Sequence, residues 1–197
     1  MRDLTPDTLL DAVRAWVEIE SPTNDLAGVN RVADHAEALL RALGAAIERH
    51  PGRDGYGDIL IGRVPGDEPG PGLLLLGHMD TVHQRGTFAY RVEGDRAYGP
   101  GIYDMKGGNS IAFSALAHLH AHARRPRLPL SVMMIPDEEV GSPSSRALIE
   151  AEAQRHRAAL VFEPSGEGGK ITIARHGIAR WHLRTIGRPA HAGDEAD

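Results

Sequence analysis

The stretch Leu73-Leu74-Leu75-Leu76-Gly77-His78-Met79-Asp80 joins a short apolar run to a turn that carries an imidazole and a carboxylate. A second run, Val132-Met133-Met134-Ile135, is also apolar at every position, and Asp137-Glu138-Glu139 follows it closely. Strands that are apolar on both faces are typical of a parallel sheet covered by helices on both sides. We therefore predict an α/β fold with a mostly parallel central sheet and helices on both of its faces.

Periodic apolar residues predict the elements around these two runs. Spacing of three and four indicates helices at residues 6 to about 19, 29–43, 107–122 and 144–156, with a loop at 21–25. Strands are expected at 46–48, 59–64, 73–76, 130–135 and 159–162, with a hairpin at 91–98. Two more strands, at 171–174 and 178–185, are expected to begin a second structural unit.

Composition argues against several classes of protein. The chain has 197 residues, of which 41% are hydrophobic and 25% charged, as in an ordinary globular domain. A net charge of −5 with scattered arginines argues against a nucleic-acid partner. Without cysteine, disulfides and thiolate ligands are excluded. No run approaches the roughly 20 apolar residues of a membrane helix, and the N-terminus shows no apolar signal core, so we expect a cytoplasmic protein without a membrane partner.

Carboxylates and one histidine follow the predicted strands at their carboxyl ends, where loops of an α/β sheet converge on a ligand. Glu163 follows a third strand, and Asp104 lies on a glycine-rich loop that enters a helix. Taken singly, each of these groups could be a solvated turn or a helix cap. Together they predict a two-metal hydrolase centre, with oxygen and imidazole ligands that suit Zn²⁺, Mn²⁺ or Co²⁺.

Four motifs in this order resemble those of the M20 family of metallopeptidases. They are Gly77-His78-Met79-Asp80-Thr81-Val82, Gly99-Pro100-Gly101-Ile102-Tyr103-Asp104-Met105-Lys106-Gly107-Gly108, Asp137-Glu138-Glu139-Val140-Gly141-Ser142 and Phe162-Glu163-Pro164-Ser165. The resemblance extends over nearly the whole chain. Residues 91–95 and 187–193 look most like the glutamate carboxypeptidase branch, and a glutamate at position 163 resembles the carboxypeptidase and deacylase members more than the aminopeptidases.

The resemblance implies a zinc-peptidase-like catalytic domain that holds two divalent metal ions, zinc in the first place with cobalt or manganese as alternatives. His78, Asp104 and Glu163 match the ligands of one ion. Asp104 and Glu139 match two ligands of the other, so that Asp104 would bridge the pair. Asp80 matches the carboxylate that orients the imidazole of His78.

The same resemblance implies three further features of the site. Glu138 matches the general base that takes a proton from a water molecule and passes it to the leaving amine. The peptide bond between Asp104 and Met105 matches one that is cis in the family. His191 matches a lid histidine that reaches the partner subunit's active site and contacts the tetrahedral intermediate, with a solvated loop histidine as the alternative.

The resemblance implies hydrolysis of an amide or peptide bond in a small peptide or N-acyl amino acid, most like a glutamate carboxypeptidase. The alternatives are an N-acyl amino acid deacylase, of the acetylornithine deacetylase or succinyl-diaminopimelate desuccinylase type, and a non-catalytic metal-binding or dimerisation remnant. Residues 1–176 would form the catalytic domain and 177–197 the beginning of an α+β lid, through which family members commonly homodimerise. Family members run on to a late histidine that completes the second metal site. We therefore expect this chain to be an incomplete fragment that is weakly active or inactive.

Overall fold

Apolar residues at helical spacing form the first two helices, α1 (Pro6–Val17) and α2 (Leu26–Ala42), of a computed structural model that describes residues 4–166, 168–174, 176–179 and 181–187. Thr5 caps α1, because its hydroxyl accepts a hydrogen bond from the backbone N–H of Thr8 at 3.3 Å. Pro6 follows at the first helical position, where a missing N–H leaves no bond unmade. Both helices end within two residues of their predicted ends.

The described residues form seven strands: β1 (Ala46–His50), β2 (Ile59–Val64), β3 (Leu73–His78), β4 (Arg91–Glu93), β5 (Arg96–Tyr98), β6 (Leu130–Ile135) and β7 (Ala158–Val161). Five of them form the central sheet in the order β1-β2-β6-β3-β7, and β4 and β5 form the predicted hairpin. β3 runs parallel to both β6 and β7, whereas β1 pairs with β2 and β2 with β6 in antiparallel fashion. The α/β fold class is confirmed, and its parallel half is the half that leads into the predicted site.

Helices cover both faces of this sheet. Leu75 and its neighbours on one face pack with α1, α2 and a third helix, α3 (Gly107–Ala121), in a cluster that includes Trp16 and Phe113. Leu74 and Met133 point to the other face, where α4 (Arg146–Ala153) packs its apolar side chains against them. Each such side chain stabilises the fold by about 1.5–3 kcal/mol when fully buried. Successive side chains of one strand face opposite sides of the sheet. Because helices cover both sides, consecutive residues of the strand must be apolar.

The parallel register brings the predicted site residues to one edge of the sheet. His78, the last residue of β3, lies beside Ile135, the last residue of β6. On the other side of β3, Leu76 lies beside Val161, so that Glu163 follows the sheet edge by two residues. A Cβ atom at Gly108 would overlap the carbonyl oxygen of Phe162, which shows how closely the start of α3 approaches this strand end. The turns that carry the carboxylates are thus brought close together.

The chain divides into two units, residues 1–164 and 165–197. In the second unit the predicted strands 171–174 and 178–185 are not formed among the described residues. Their apolar side chains are almost fully exposed there: Ile171, Ile173, Ile178, Trp181 and Leu183. The alternating pattern is typical of a strand, but a strand is stable only when it pairs with another strand. The assignment of residues 177–197 to a lid, and of 1–176 to the catalytic domain, stays a prediction.

No helix in the described part of the chain is long and apolar enough to span a lipid bilayer.

Candidate metal centre

His78 lies at the centre of a group of carboxylates. Its Nε2 atom is 3.0 Å from Oδ1 of Asp104 and 3.6 Å from Oε1 of Glu163. The imidazole is 1% exposed, whereas the side chains of Asp104 and Glu163 are 51% and 27% exposed. The group is therefore closed on the side of the sheet and open on the side of the turns, as a substrate site requires.

The structure brings together all four residues that were predicted to bind metal. His78, Asp104 and Glu139 each offer one ligand atom, and these atoms lie within 4.8 Å of one another. His78, Glu138 and Glu163 form a second such set. Both members of the Glu138-Glu139 pair thus reach the centre, so distance alone does not separate the predicted base from the predicted ligand.

The orientation of the His78 ring is fixed by its neighbours. Nδ1 lies 2.9 Å from the backbone carbonyl oxygen of Asp80 and 3.3 Å from its carboxylate. Because a carbonyl oxygen only accepts, Nδ1 carries a proton, and Nε2 faces the carboxylates. The side chain of Asn109 donates to the carbonyl oxygen of His78 at 2.8 Å, and the His78 N–H contacts the sulfur of Met105 at 3.1 Å. With Nδ1 protonated, loss of the proton on Nε2 gives the tautomer that binds a metal through Nε2.

The carboxylate of Asp80 connects two turns. It is fully buried and accepts hydrogen bonds from the backbone N–H groups of Glu138 at 3.1 Å and Glu139 at 3.2 Å. The hydroxyl of Thr23 donates to the same carboxylate at 2.8 Å. Asp80 thus holds the turn of the acidic pair against the end of β3, in addition to its contact with the imidazole.

Asp104 lies in an irregular helical turn, Ile102–Lys106, in which Asp104 and Met105 have non-helical dihedral angles. The peptide bond between them is cis, as the family resemblance implied. Gly101 precedes the turn with φ +69°, a conformation that glycine adopts without strain. The side chain of Met105 is buried beneath the turn. The carboxylate of Asp104 lies on the open side of the turn, where it contacts Nε2 of His78.

The turn of Glu138 and Glu139 is held from below by Asp137, which is completely buried. Its carboxylate accepts from the backbone N–H of Ser144 at 2.6 Å and from the hydroxyl of Ser145 at 2.6 Å. These bonds occupy residues 144–145, so α4 begins at Arg146 rather than at the predicted position. The sequence reasoning assigned Asp137 no separate role. The serines that follow it at short spacing were the available signal for such a cap.

Electrostatics indicates that the centre attracts positive charge. Burial, together with the nearby Asp104 carboxylate, raises the pKa of Glu163, and burial raises the pKa of Glu139. Although burial opposes it, hydrogen bonding to Asp104 and Asp80 raises the pKa of His78 to about 10. Oε1 of Glu139 is buried and has no hydrogen-bond partner among the described residues. A divalent cation would give this oxygen a partner and would offset the repulsion between the neighbouring carboxylates. The residues present therefore fit such an ion.

His191 lies outside the described residues, so its predicted role stays a prediction. Four residues that support the site were not singled out from the sequence: Ser21, Thr23, Asn109 and Asp137. Ser21, Asn109 and Asp137 are buried polar side chains. The hydrogen-bond partners of Ser21, Thr23 and Asn109 are distant in sequence. Periodicity carries no information about such partners.

Comparisons with known proteins agree with this geometry. The model of peptidase family M20/M25/M40 matches residues 74–192, more than half of the chain. Carboxypeptidase G2 of Pseudomonas sp. strain RS-16 is 39% identical over 190 residues, which cover 94% of this chain and 46% of that protein. A succinyl-diaminopimelate desuccinylase of Rhodopseudomonas palustris strain BisB5 is 35% identical over 174 residues, which cover 79% of this chain and 44% of that protein.

The chain spans about half the length of these curated relatives. Among solved structures, human carnosine dipeptidase 1 has a TM-score of 0.68 at 19% identity, with 79% of this chain and 38% of that chain covered, which supports the fold alone. Both the family match and the identity to the relatives lead to one conclusion: this chain belongs to peptidase family M20/M25/M40.

Proposed function

We propose that this chain provides the metal-binding part of a hydrolase that cleaves an amide bond, most like a glutamate carboxypeptidase. The observation that supports it most directly is the approach of Asp104 and Glu163 to Nε2 of a buried, oriented His78. A structural ion pair would not need a third and a fourth carboxylate within reach of the same imidazole. The family membership gives this geometry its reaction class, since its named relatives are hydrolases.

We propose two divalent ions, zinc in the first place, with cobalt or manganese as alternatives. His78, Asp104 and Glu163 would hold one of them, and Asp104 and Glu139 would contribute to holding the other. When bound, such ions supply a Lewis acid for the amide carbonyl and lower the pKa of a water molecule toward about 7. Asp80 keeps Nδ1 of His78 protonated and the ring in place.

Exposure separates the proposed roles of the acidic pair. Glu139 is half-buried, and one of its oxygens has no hydrogen-bond partner in the part of the chain that the structure describes, as expected of a ligand. Glu138 is exposed, so water and substrate reach its carboxylate, as expected of a general base. Its backbone N–H is bonded to Asp80, which limits how far the base moves from the centre. Glu138 would accept the proton of the attacking water and deliver it to the departing nitrogen, so that the proton is conserved.

For the substrate we propose a small peptide or N-acyl amino acid with a terminal acidic residue. The rival is an N-acyl amino acid deacylase, which the similarity to a succinyl-diaminopimelate desuccinylase favours. His191 and residues 177–197 are proposed to belong to a lid that forms homodimers. The cytoplasm remains the proposed location on sequence grounds.

The test measures zinc content and hydrolysis by the purified 197-residue chain. N-acylglutamate, N-acetylornithine and N-succinyl-diaminopimelate serve as the substrate panel, and His78→Ala is the variant without the central ligand. We expect zinc bound at His78 and at most weak turnover, with N-acylglutamate as the preferred substrate. Preference for either of the other two substrates would support the deacylase. Zinc binding without turnover of all three would agree with an incomplete or a non-catalytic chain, and equal zinc content in wild type and His78→Ala would refute the site.

A further inference from the structure

The segment that connects α1 to α2 runs along the turn after β3. The hydroxyl of Ser21, which is completely buried, donates to the carbonyl oxygen of Met79 at 2.7 Å. The backbone N–H of Thr81 donates to the carbonyl oxygen of Ser21 at 2.9 Å, and that of Thr23 to the carbonyl oxygen of Thr81 at 3.3 Å. These bonds join residues that are about 60 positions apart in the chain. The segment is therefore a specific partner of the His78-Asp80 turn rather than a plain connection.

One side chain of this segment reaches the carboxylate of Asp80. The hydroxyl of Thr23 donates to Oδ2 at 2.8 Å, and the backbone N–H of Glu139 donates to the same oxygen at 3.2 Å. The backbone N–H of Glu138 donates to the other oxygen, Oδ1. Thr23 thus provides the shortest of the three hydrogen bonds, and the other two lead directly to the acidic pair. Rotation of a carboxylate about its terminal bond is broadly allowed, so donors on both oxygens are needed to fix its plane.

The same segment is also tied to the turn of Asp104. Lys106, which is 1% exposed, extends its ammonium to the carbonyl oxygen of Ile19 at 2.5 Å. The connection between α1 and α2 therefore contacts the Asp104 turn directly through Lys106, the His78 turn directly, and the Glu138-Glu139 turn through Asp80. Of these contacts, only that of Thr23 ends on a side chain of the proposed centre.

We propose that Thr23 is a positioning residue of the metal centre: its hydroxyl fixes the carboxylate of Asp80, and through it the placement of His78 and of the Glu138-Glu139 turn. This inference rests on the proposed function. Thr23 itself contacts neither metal nor substrate. Loss of its hydroxyl leaves Oδ2 of Asp80 with one long hydrogen bond, so the turn of the acidic pair is less well held. The expected effect is a metal affinity lower by about 10- to 100-fold, as for other groups that orient metal ligands.

The experiment compares Thr23→Val with Thr23→Ser. Valine retains the shape of threonine without the hydroxyl, and serine retains the hydroxyl without the methyl group. Zinc affinity is measured by competition with a chelator on the purified chain, and thermal unfolding without zinc shows whether each variant folds. Thr87→Val is the matched control, since it also removes a hydroxyl that donates a hydrogen bond, but to the backbone carbonyl oxygen of Gln84 at an exposed site.

We expect zinc affinity to fall in Thr23→Val and to recover in Thr23→Ser, with little change in Thr87→Val. Wild-type affinity in Thr23→Val would overturn the inference and leave the proposed function intact. Equal loss in Thr23→Val and Thr23→Ser would also overturn it, because the shape of the side chain and not its hydroxyl would then matter. Failure of the wild type itself to bind zinc would overturn the proposed function, and this inference with it.

Discussion

The imidazole of His78 donates through Nδ1 to the backbone carbonyl oxygen of Asp80, two residues further along the chain, at 2.9 Å. A single turn therefore both orients the ring and presents a buried carboxylate to the neighbouring turn of Glu138 and Glu139. The proposed ligand and its supporting residue form one local unit, so a change in either one affects both.

Glutamine at position 138 and glutamine at position 139 are expected to give different defects. Glu139→Gln replaces a proposed ligand and lowers zinc affinity by more than tenfold, because an amide binds the cation without the negative charge. Glu138→Gln removes the proposed base and leaves zinc affinity unchanged, while any turnover falls by about 10²- to 10⁴-fold. Zinc titration and hydrolysis rates on both variants check this. The reverse pattern would exchange the two roles.

Zinc is expected to stabilise the folded chain. At a free concentration about 100 times Kd, a ligand that binds only the folded state contributes about 2.7 kcal/mol, which raises Tm by about 5 to 10 °C for a chain of this size. Thermal unfolding with zinc and with excess chelator measures the shift. His78→Ala abolishes the shift, whereas His120→Ala, at an exposed position of α3, retains it. A shift that persists in His78→Ala would place the zinc elsewhere.

Replacement of Asp137 by asparagine is expected to destabilise the chain by about 2 to 4 kcal/mol. The carboxylate is completely buried and accepts three hydrogen bonds at the start of α4, and an amide leaves part of this set unsatisfied. Asp95→Asn, at the exposed tip of the β4-β5 hairpin, is the control and changes stability little. Urea unfolding of both variants gives the comparison. Equal stabilities would show that the buried cap is dispensable.

The ion pair of Glu152 and Arg63 is expected to make stability depend on acid pH. Hydrogen bonding to Arg63 lowers the pKa of Glu152 below its usual range. Its contribution is therefore complete above the unfolded pKa, near 4.5, and is lost as the pH falls through the lowered value. Glu152→Gln should cost about 2 kcal/mol at pH 7, and the difference from wild type should shrink at pH 3.

The control for this pair is Glu48→Gln. Glu48 contacts the same arginine at 3.1 Å, but its side chain is 46% exposed, so water screens the interaction. Unfolding free energies at pH 7 and pH 3 are measured for wild type and for both variants. A loss in Glu152→Gln that is the same at both pH values would mean that packing, and not charge, explains the effect.

The sequence predicted the strands and the residues that meet at the sheet edge better than it predicted their supporting hydrogen bonds. The bounds of β2 and β6 were predicted correctly, and the apolar run Leu73-Leu74-Leu75-Leu76 placed His78 at a sheet edge. Asp104, Glu139 and Glu163, the other proposed ligands, were predicted from motifs that follow a strand or, for Asp104, precede a helix, and they lie close to His78. Thr23 was placed in a loop without a role, since its partner Asp80 is 57 positions away and no local pattern connects them. The strands expected beyond residue 170 are not formed among the described residues. The reason is similar, because strand pairing depends on a partner that the local pattern does not reveal.

β3 is hydrogen-bonded on both sides, to β6 and to β7, and His78 is its last residue. The imidazole is therefore anchored to a strand that is paired on both sides, whereas Asp104 and Glu163 lie on partly exposed turns. Exchange of zinc for a larger ion such as manganese should displace the two carboxylates and leave the ring where it is. Tolerance of different ionic radii would then reside in the turns, and the histidine would be the fixed reference point among the proposed ligands.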